Sequence, residues 1–309
     1  MDNLPDICVM LSSYNGGEFI REQVDSILAQ KNVNVKLLIR DDGSTDNTIS
    51  ILQEYQKCCD NITLILGENI GWKNSFMQLI MLAPDADYYS FADQDDVWMQ
   101  NKLLWAVNEI SKEVNETIVL YGSNVWVTDS NLNVIGTYCH KNFDFQNRPL
   151  IQKYDLCCMP GGLTYVFTPE LKKLMKKWCP SGDFGHDAIC YFLALSFGKI
   201  IYDQRPSVLY RQHGNNQIGA PGNFAWWFNK KLNTLFGPCI PFKSYWAKKI
   251  KKIYPEIEEK AEKLEILNLF EAYPISLRVK FRLIFRSDLY RRNIIDTIML
   301  YMKILMNKW

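Results

Sequence analysis

The chain has 309 residues and a mass of 36.1 kDa, with 48% apolar, 22% charged and 13% aromatic residues. A chain of this length and composition buries about three-quarters of the surface its unfolded form exposes, which excludes a disordered protein and a small scaffold held by disulfides or a structural metal. The net charge of +1 hides a split: residues 226–309 carry 17 Lys and Arg against 8 Asp and Glu, whereas residues 1–225 carry 18 against 26. Charge separated in this way predicts an acidic part that can hold a metal and a basic part that meets an anionic surface. The nine cysteines contain no C-x-x-C pair, and Cys58-Cys59 and Cys157-Cys158 are vicinal. They read as free thiols in a reducing compartment. The N-terminal Met1-Asp2-Asn3-Leu4-Pro5-Asp6 is acidic where a signal peptide is basic, so the expected location is the cytoplasm.

Along the first hundred residues short apolar runs alternate with helical patterns. Residues 7–12, 35–40, 62–66 and 88–92 predict four strands. Helical spacing of Phe19, Val24, Ile27 and Leu28, then of Thr48, Ile51, Leu52 and Tyr55, and a third run over 74–82, predict the helices between them. Strand and helix in this order imply a parallel sheet with right-handed crossovers. A mixed region follows, with strands expected over 118–127, 161–167, 199–202 and 207–210 and helices over 169–178 and 187–197. A Gly- and Asn-rich loop over 214–223 precedes a basic, aromatic, helical region, which sets a boundary near 220.

Polar residues cluster just beyond the predicted strand ends, at 12–15, 41–44 and 93–96, on the edge where open α/β sheets bind ligands. Asp93-Gln94-Asp95 follows an apolar strand and precedes a helix expected to start near Val97. Two carboxylates one residue apart can hold one Mg²⁺ or Mn²⁺ and leave room for a substrate diphosphate, although the same triplet also suits a solvated turn. Asp41-Asp42-Gly43-Ser44-Thr45-Asp46 reads both as a helix cap and as a loop whose aspartate accepts a hydrogen bond from a nucleobase or ribose, with Tyr14 as a stacking face.

Taken together, Ser12-Ser13-Tyr14-Asn15, the run DDGSTDNT from Asp41 and FADQDDVW from Phe91 resemble the donor-binding signature of family 2 glycosyltransferases, over roughly residues 5–215. The segment Arg211-Gln212-His213-Gly214-Asn215-Asn216 is most similar to bacterial rhamnosyltransferases of cell-surface polysaccharide assembly. The resemblance implies an α/β fold of the Rossmann-like nucleotide-diphospho-sugar transferase type, a mainly parallel sheet flanked by helices, with a helical basic C-terminal extension. A catalytic domain is expected over 1–220, divided into a donor-binding half (about 1–115) and an acceptor half (116–220), followed by the region 221–309. The implied nucleotide contacts are Ser12, Tyr14, Asn15, Asp42 on the base, Lys73, Asn74 and Asp93. The implied metal ligands are Asp95, Asp93 and His213, for Mn²⁺ or Mg²⁺. The implied catalytic base is Asp187, at a helix start, with Asp183 and His186 as its competitors; single in-line displacement would invert the anomeric centre.

No Gln-x-x-Arg-Trp motif of processive synthases is present. The expected reaction is transfer of one or a few sugars, rhamnose from dTDP-rhamnose or else a sugar from a uridine-diphosphate donor, to a glycan or lipid-linked acceptor. A nucleotidyltransferase and an inactive sugar-nucleotide-binding scaffold are the rivals. The first has no need of Asp187, and intact Asp93, Asp95 and Asp187 argue against the second. In the basic region, Trp226, Trp227 and Phe228 adjoin Lys230 and Lys231, four lysines surround Trp246, and Arg278, Lys280, Arg282 and Arg286 alternate with apolar residues. Basic residues with aromatic anchors predict peripheral association with an anionic membrane at the inner face of the cell membrane. The alternatives for this region are a helical cap and a homo-oligomer interface. No nucleic-acid motif accompanies the charge. The apolar run 297–302 is far shorter than the roughly 20 residues a span requires.

Overall fold

The computed structural model describes residues 4–140, 143–155, 159–178, 184–214, 241–291 and 294–309. The chain forms two compact units, one of residues 1–146 with 157–216 and the other of residues 147–156 with 217–309. The expected acceptor half is thus interrupted, because residues 147–156 group with the C-terminal helices.

The first unit is α/β. In chain order it contains β1 (Asp6–Ser13), α1 (Ile20–Leu28), β2 (Asn34–Asp41), α2 (Thr48–Cys58), β3 (Ile62–Leu66), α3 (Trp72–Leu82), β4 (Tyr88–Ala92), β5 (Val97–Trp98), α4 (Lys102–Ile110), β6 (Val119–Thr128) and β7 (Val134–Thr137). Beyond residue 156 it continues with β8 (Val166–Phe167), α6 (Pro169–Trp178), α7 (His186–Phe197) and β9 (Lys199–Arg211). The described strands form one sheet in the order β3-β2-β1-β4-β8-β6-β9-β5, with β7 on β6. β1 to β4 are parallel, whereas β8 runs antiparallel to both β4 and β6. β1 reads as a continuous apolar run because both of its faces are covered, as expected of a central parallel strand. Ile7, Val9 and Leu11 on one of its faces pack with Ile20, Val24 and Ile27 of α1.

The expected elements differ in three places. No helix starts near Val97: β5 pairs antiparallel with Val208 and Leu209, and its backbone is already bonded through Trp98 N to Ser26 Oγ (3.0 Å), so α4 begins only at Lys102. The two strands expected over 199–202 and 207–210 are one strand of 13 residues. Its register against β6 shifts where Pro206, which lacks an N–H, faces Asn124. The strand expected over 161–167 shortens to β8, preceded by a single 3₁₀ turn at Gly162–Thr164.

The second unit gathers α5 (Leu150–Asp155), α8 (Phe242–Ile253), α9 (Ala261–Ala272), α10 (Leu277–Ile284) and α11 (Ile294–Leu305). α5 is tied down by Gln152 Nε2 donating to Asp288 O (2.9 Å), by Lys243 Nζ donating to Tyr154 O and by Trp309 Nε1 donating to Asp155. The Trp309 indole also meets Phe270 edge-on at 4.9 Å. Trp246, Ile250 and Tyr254 are buried and Ile253 is half-buried, so Trp246 is not an anchor for lipid. Trp226, Trp227, Phe228, Lys230 and Lys231 lie outside the described residues. Cys8, Cys58, Cys59, Cys139 and Cys190 are free thiols. No helix among the described residues is long and apolar enough to cross a membrane.

Gly198 ends α7 at a position with no room for a side chain. A Cβ there would stand 1.9 Å from the Ile118 carbonyl oxygen, which is backbone and cannot turn aside. Gly→Ala at an unstrained site gains about 0.4–1 kcal/mol through the unfolded chain. Here overpacking dominates, and Gly198→Ala is expected to lower stability by about 2–3 kcal/mol in urea titrations. A neutral or stabilising result would mean that α7 and β6 can move apart.

Candidate active site

The loops after β1 and β2 are stitched to each other. Ser13 Oγ donates to Asp41 Oδ2 (2.8 Å), and Asp41 also accepts from Ser44 N and Ser44 Oγ, both at 2.7 Å. Asn15 sits in the left-handed region (φ 47°), a conformation asparagine tolerates better than most residues. From there its N–H donates to Ser44 Oγ (2.8 Å), and its Oδ1 accepts from Thr45 N (2.8 Å). Gln94 ties the acidic loop to the same region: its Oε1 accepts from Tyr14 N (2.8 Å) and its Nε2 donates to Tyr14 O (3.1 Å). Both backbone groups of Tyr14 are held, while its phenol ring is exposed and open to a stacking partner.

Asp42 lies at the end of β2, buried, and fastens the start of α3. Its Oδ1 accepts from Arg40 Nη1 and Ile70 N (2.9 Å), and its Oδ2 accepts from Gly71 N (2.8 Å). Arg40 continues to Ser75 Oγ (3.2 Å), which is paired with Ser12 Oγ at 2.6 Å. Ser12, Asp42 and the N-terminal turn of α3 therefore form one polar network. In that turn Lys73 Nζ lies 5.7 Å from the Trp72 ring centroid, and Asn74 Nδ2 donates to Ile70 O (2.9 Å).

The acidic residues meet beyond the end of β4. Burial, then Asp95, then Asp187 push the Asp93 carboxyl up to about 7, so both of the other carboxylates act on it. His213 Nε2 lies 2.8 Å from Asp95 Oδ2, which brings the residue just past β9 onto the Asp-x-Asp loop. Asp187 stands in the first turn of α7 and accepts from its neighbour's N–H (2.8 Å). Asp183 lies outside the described residues. Among the described residues, no group of three or more His, Cys, Asp or Glu is gathered closely enough to hold a metal ion. The Asp95–His213 pair is the part of the expected ligand set found in contact.

Residues that the sequence reading did not single out form the support. Arg211, at the end of β9, is buried. Its Nε donates to Asp95 O (2.9 Å), its Nη1 to Ser130 O (2.6 Å) and its Nη2 to Glu22 of α1. Its guanidinium lies over the Phe19 ring at 4.6 Å, and its backbone N–H donates to Asp96 Oδ1 (3.1 Å). Asp96 is fully buried, and burial followed by Asp95 and Asp93 holds its carboxyl well above the usual range. Lys102, also buried, is pushed down by burial and sits 3.6 Å over the Trp98 ring, donating to Ser90 Oγ (3.2 Å). The one sequence signal for Arg211 is its place two residues before His213.

His186, the sequence competitor of Asp187, is instead part of an aromatic box. It stacks on Phe76 at 3.7 Å and meets Phe91 edge-on at 4.4 Å, and neither ring nitrogen has a hydrogen-bond partner among the described residues. Burial pushes the imidazole down to about 4, outweighing the opposing pull of Asp187. Between its ordinary 6.5 and about 4, the unfolded chain binds a proton that the folded chain does not. The folded state is thus undisturbed by this group above pH 6.5 and loses stability as pH falls, by about 1.4 kcal/mol per unit and about 3 kcal/mol in all. The stability of the wild type minus that of His186→Phe is expected to drop by about 3 kcal/mol between roughly pH 7 and pH 4 in urea titrations. A pH-independent difference would place the imidazole in contact with water.

Comparisons with known proteins identify the family and the fold. The family model for Glycosyl transferase family 2 matches residues 8–163, which contain the three polar loops. The chain is 32% identical over 230 residues to the dTDP-rhamnosyl transferase RfbG of Shigella flexneri, covering 69% of this chain and 75% of that one. It is 23% identical over 258 residues to an uncharacterized glycosyltransferase of Rickettsia prowazekii (strain Madrid E), covering 82% and 74%. Among solved structures, S. aureus TarS 1–349 in complex with UDP-GlcNAc superposes with a TM-score of 0.57 at 16% identity, over 92% of this chain and 77% of that one, a likeness of fold. The chain is a glycosyltransferase that belongs to glycosyl transferase family 2, with the nucleotide-sugar transferase fold of that family.

Proposed function

We propose that the protein is a divalent-metal-dependent, inverting transferase that moves rhamnose from dTDP-rhamnose to a glycan or lipid-linked acceptor in cell-surface polysaccharide synthesis. The observation that carries the reading is the gathering of two kinds of acid at one sheet edge. The Asp95–His213 pair and Asp93 suit a diphosphate and its cation, and Asp187, close enough to act on Asp93, suits an acceptor hydroxyl. The identity to a rhamnosyl transferase across 69% of the chain supports the choice of donor.

In this reading Ser12, Tyr14, Asn15, Asp42, Lys73 and Asn74 hold the nucleoside. Tyr14 offers its open ring to the base, and Asp42 keeps one unused lone pair on Oδ2 for a base N–H. Asp95 would hold the cation through an oxygen, the donor that Mg²⁺ and Mn²⁺ favour, with His213 Nε2, 2.8 Å from that oxygen, as the further ligand, and the crowding of carboxylates around Asp93 is what a cation offsets. The cation supplies charge neutralisation to the leaving diphosphate. Asp187 takes the proton of the acceptor hydroxyl as its oxygen bonds to the anomeric carbon and the bond from that carbon to the diphosphate oxygen breaks on the opposite face. The basic excess of residues 226–309 supports placement at the cytoplasmic face of an anionic membrane, where a lipid-linked acceptor is within reach.

Asp187→Asn is expected to leave donor affinity in calorimetry nearly unchanged and to lower turnover by about 10² or more. Lost nucleotide affinity with normal turnover at saturation would move Asp187 into the donor pocket. Asp95→Asn should abolish transfer from dTDP-rhamnose, and chelation should do the same to the wild type. Full activity of Asp95→Asn in chelated buffer would remove the metal from the mechanism. Preference for a uridine-diphosphate sugar in the same assay would overturn the donor and leave the roles of the acids intact.

A further inference from the structure

Among the described residues, the second unit exposes an apolar surface. α10 exposes Leu277 and Phe281, and Phe285 follows them at the same spacing of four residues, 80% exposed. Phe281 and Phe285 stack at 6.3 Å with an interplanar angle of 18°. α11, which packs on α10, exposes Ile294 (76%), Ile298 and Met302, again four residues apart, while Leu300 and Ile304 on its other side are buried. Single exposed apolar residues are ordinary, but two ridges on packed helices are not. The basic residues of α10 divide in a telling way. Lys280 turns inward and donates to Leu305 O (2.8 Å) at the end of α11, Arg282 is exposed but pairs with Glu265 (2.8 Å), and Arg278 is exposed next to Leu277 in the chain.

We infer that the ridges of α10 and α11 are the surface by which the protein enters the interface of an anionic lipid bilayer, an inference that rests on the membrane placement proposed above. Charge decides the occupant. A second copy would bring together two surfaces of a region carrying 17 basic and 8 acidic side chains, with Arg278 exposed on each, whereas an anionic leaflet complements that charge. Length agrees with a helix lying in the interface: α11 has 12 residues, about 18 Å, against the roughly 30 Å of a hydrocarbon core. Arginine stems can lie along the acyl boundary with their guanidinium groups among phosphates, and phenylalanine and isoleucine enter below them. The contact assigned here lies on Phe281, Phe285 and Ile294, not on Trp246.

The test is co-sedimentation of the full chain with vesicles of phosphatidylcholine, with and without phosphatidylglycerol. Phe285→Asp and Ile294→Asp are compared with Val114→Asp, a control at an equally exposed position in the first unit. All three sites are open, and thermal melts that match the wild type establish that the variants are folded. The wild type is expected to pellet with the anionic vesicles and less so as salt rises. Each ridge variant should reduce partitioning about tenfold or more, the scale of one buried large apolar side chain, and Val114→Asp should change nothing. Ridge variants that pellet like the wild type would overturn the assigned face and leave membrane binding standing. A wild type that pellets with neither vesicle would overturn both. A dimer in light scattering that either ridge variant converts to monomer would show a second copy on this surface and overturn the inference.

Discussion

A single buried guanidinium holds the acidic side of the site together. Arg211 bonds the carbonyl of Asp95, the carbonyl of Ser130 and the carboxylate of Glu22, and it rests on Phe19. A buried charge stripped of its partners destabilises a fold by about 3–5 kcal/mol, so the acceptors are constrained in position as strongly as the cation itself. Those acceptors belong to the Asp-x-Asp loop, to the turn after β6 and to α1, elements far apart in the chain. His213 follows two residues later, and its 2.8 Å approach to Asp95 is a consequence of where Arg211 is fixed. The planar fork matters here, because lysine would offer one point charge where three divergent acceptors are met.

Around that anchor the site sorts charge by exposure. Asp96, behind the loop, is wholly enclosed and favours its neutral form, whereas Asp95 keeps contact with solvent and with His213. Asp93 lies between them in character, pushed upward by burial first and then by Asp95 and Asp187. Adjacent carboxylates that differ this much cannot act as one uniform acidic patch. Asp96 shapes the loop by accepting from the Arg211 N–H, and Asp95, which still meets solvent, is left for a ligand. A similar division holds at β2, where Asp41 binds its own loop together while Asp42, one residue on, binds the start of α3.

Much of this was legible in the sequence where the information is local. The four parallel strands announced themselves as apolar runs, since strands covered on both faces need no polar alternation. The three polar loops were legible because each follows its strand directly. What escaped was carried by pairing across the chain. β5 is two residues long, and it is a strand only because Val208 and Leu209, more than a hundred positions away, come alongside it. Gln94 looked like a spacer between two aspartates, yet its amide grips both backbone groups of Tyr14. Trp246 sits among lysines in the sequence, and those neighbours do not reveal that its own side chain points inward. His186 competed with Asp187 on sequence grounds, and only the aromatic rings around it separate their roles.

The detour of residues 147–156 sets the order in which this protein can be assembled. The chain passes between the two units three times, at 146, at 156 and again at 216. α5 has six residues, too few to persist as an isolated helix, and it leaves the ribosome before any of α8 to α11 that secure it has been made. The first unit must therefore carry an unsettled loop until the helices that secure it have been made and Trp309 closes on Asp155. For the same reason, the C-terminal helices are not a cassette that one crossover could exchange between relatives. A foreign helical region would arrive without the short helix on which it was selected to close, so inheritance of this unit requires two segments to travel together.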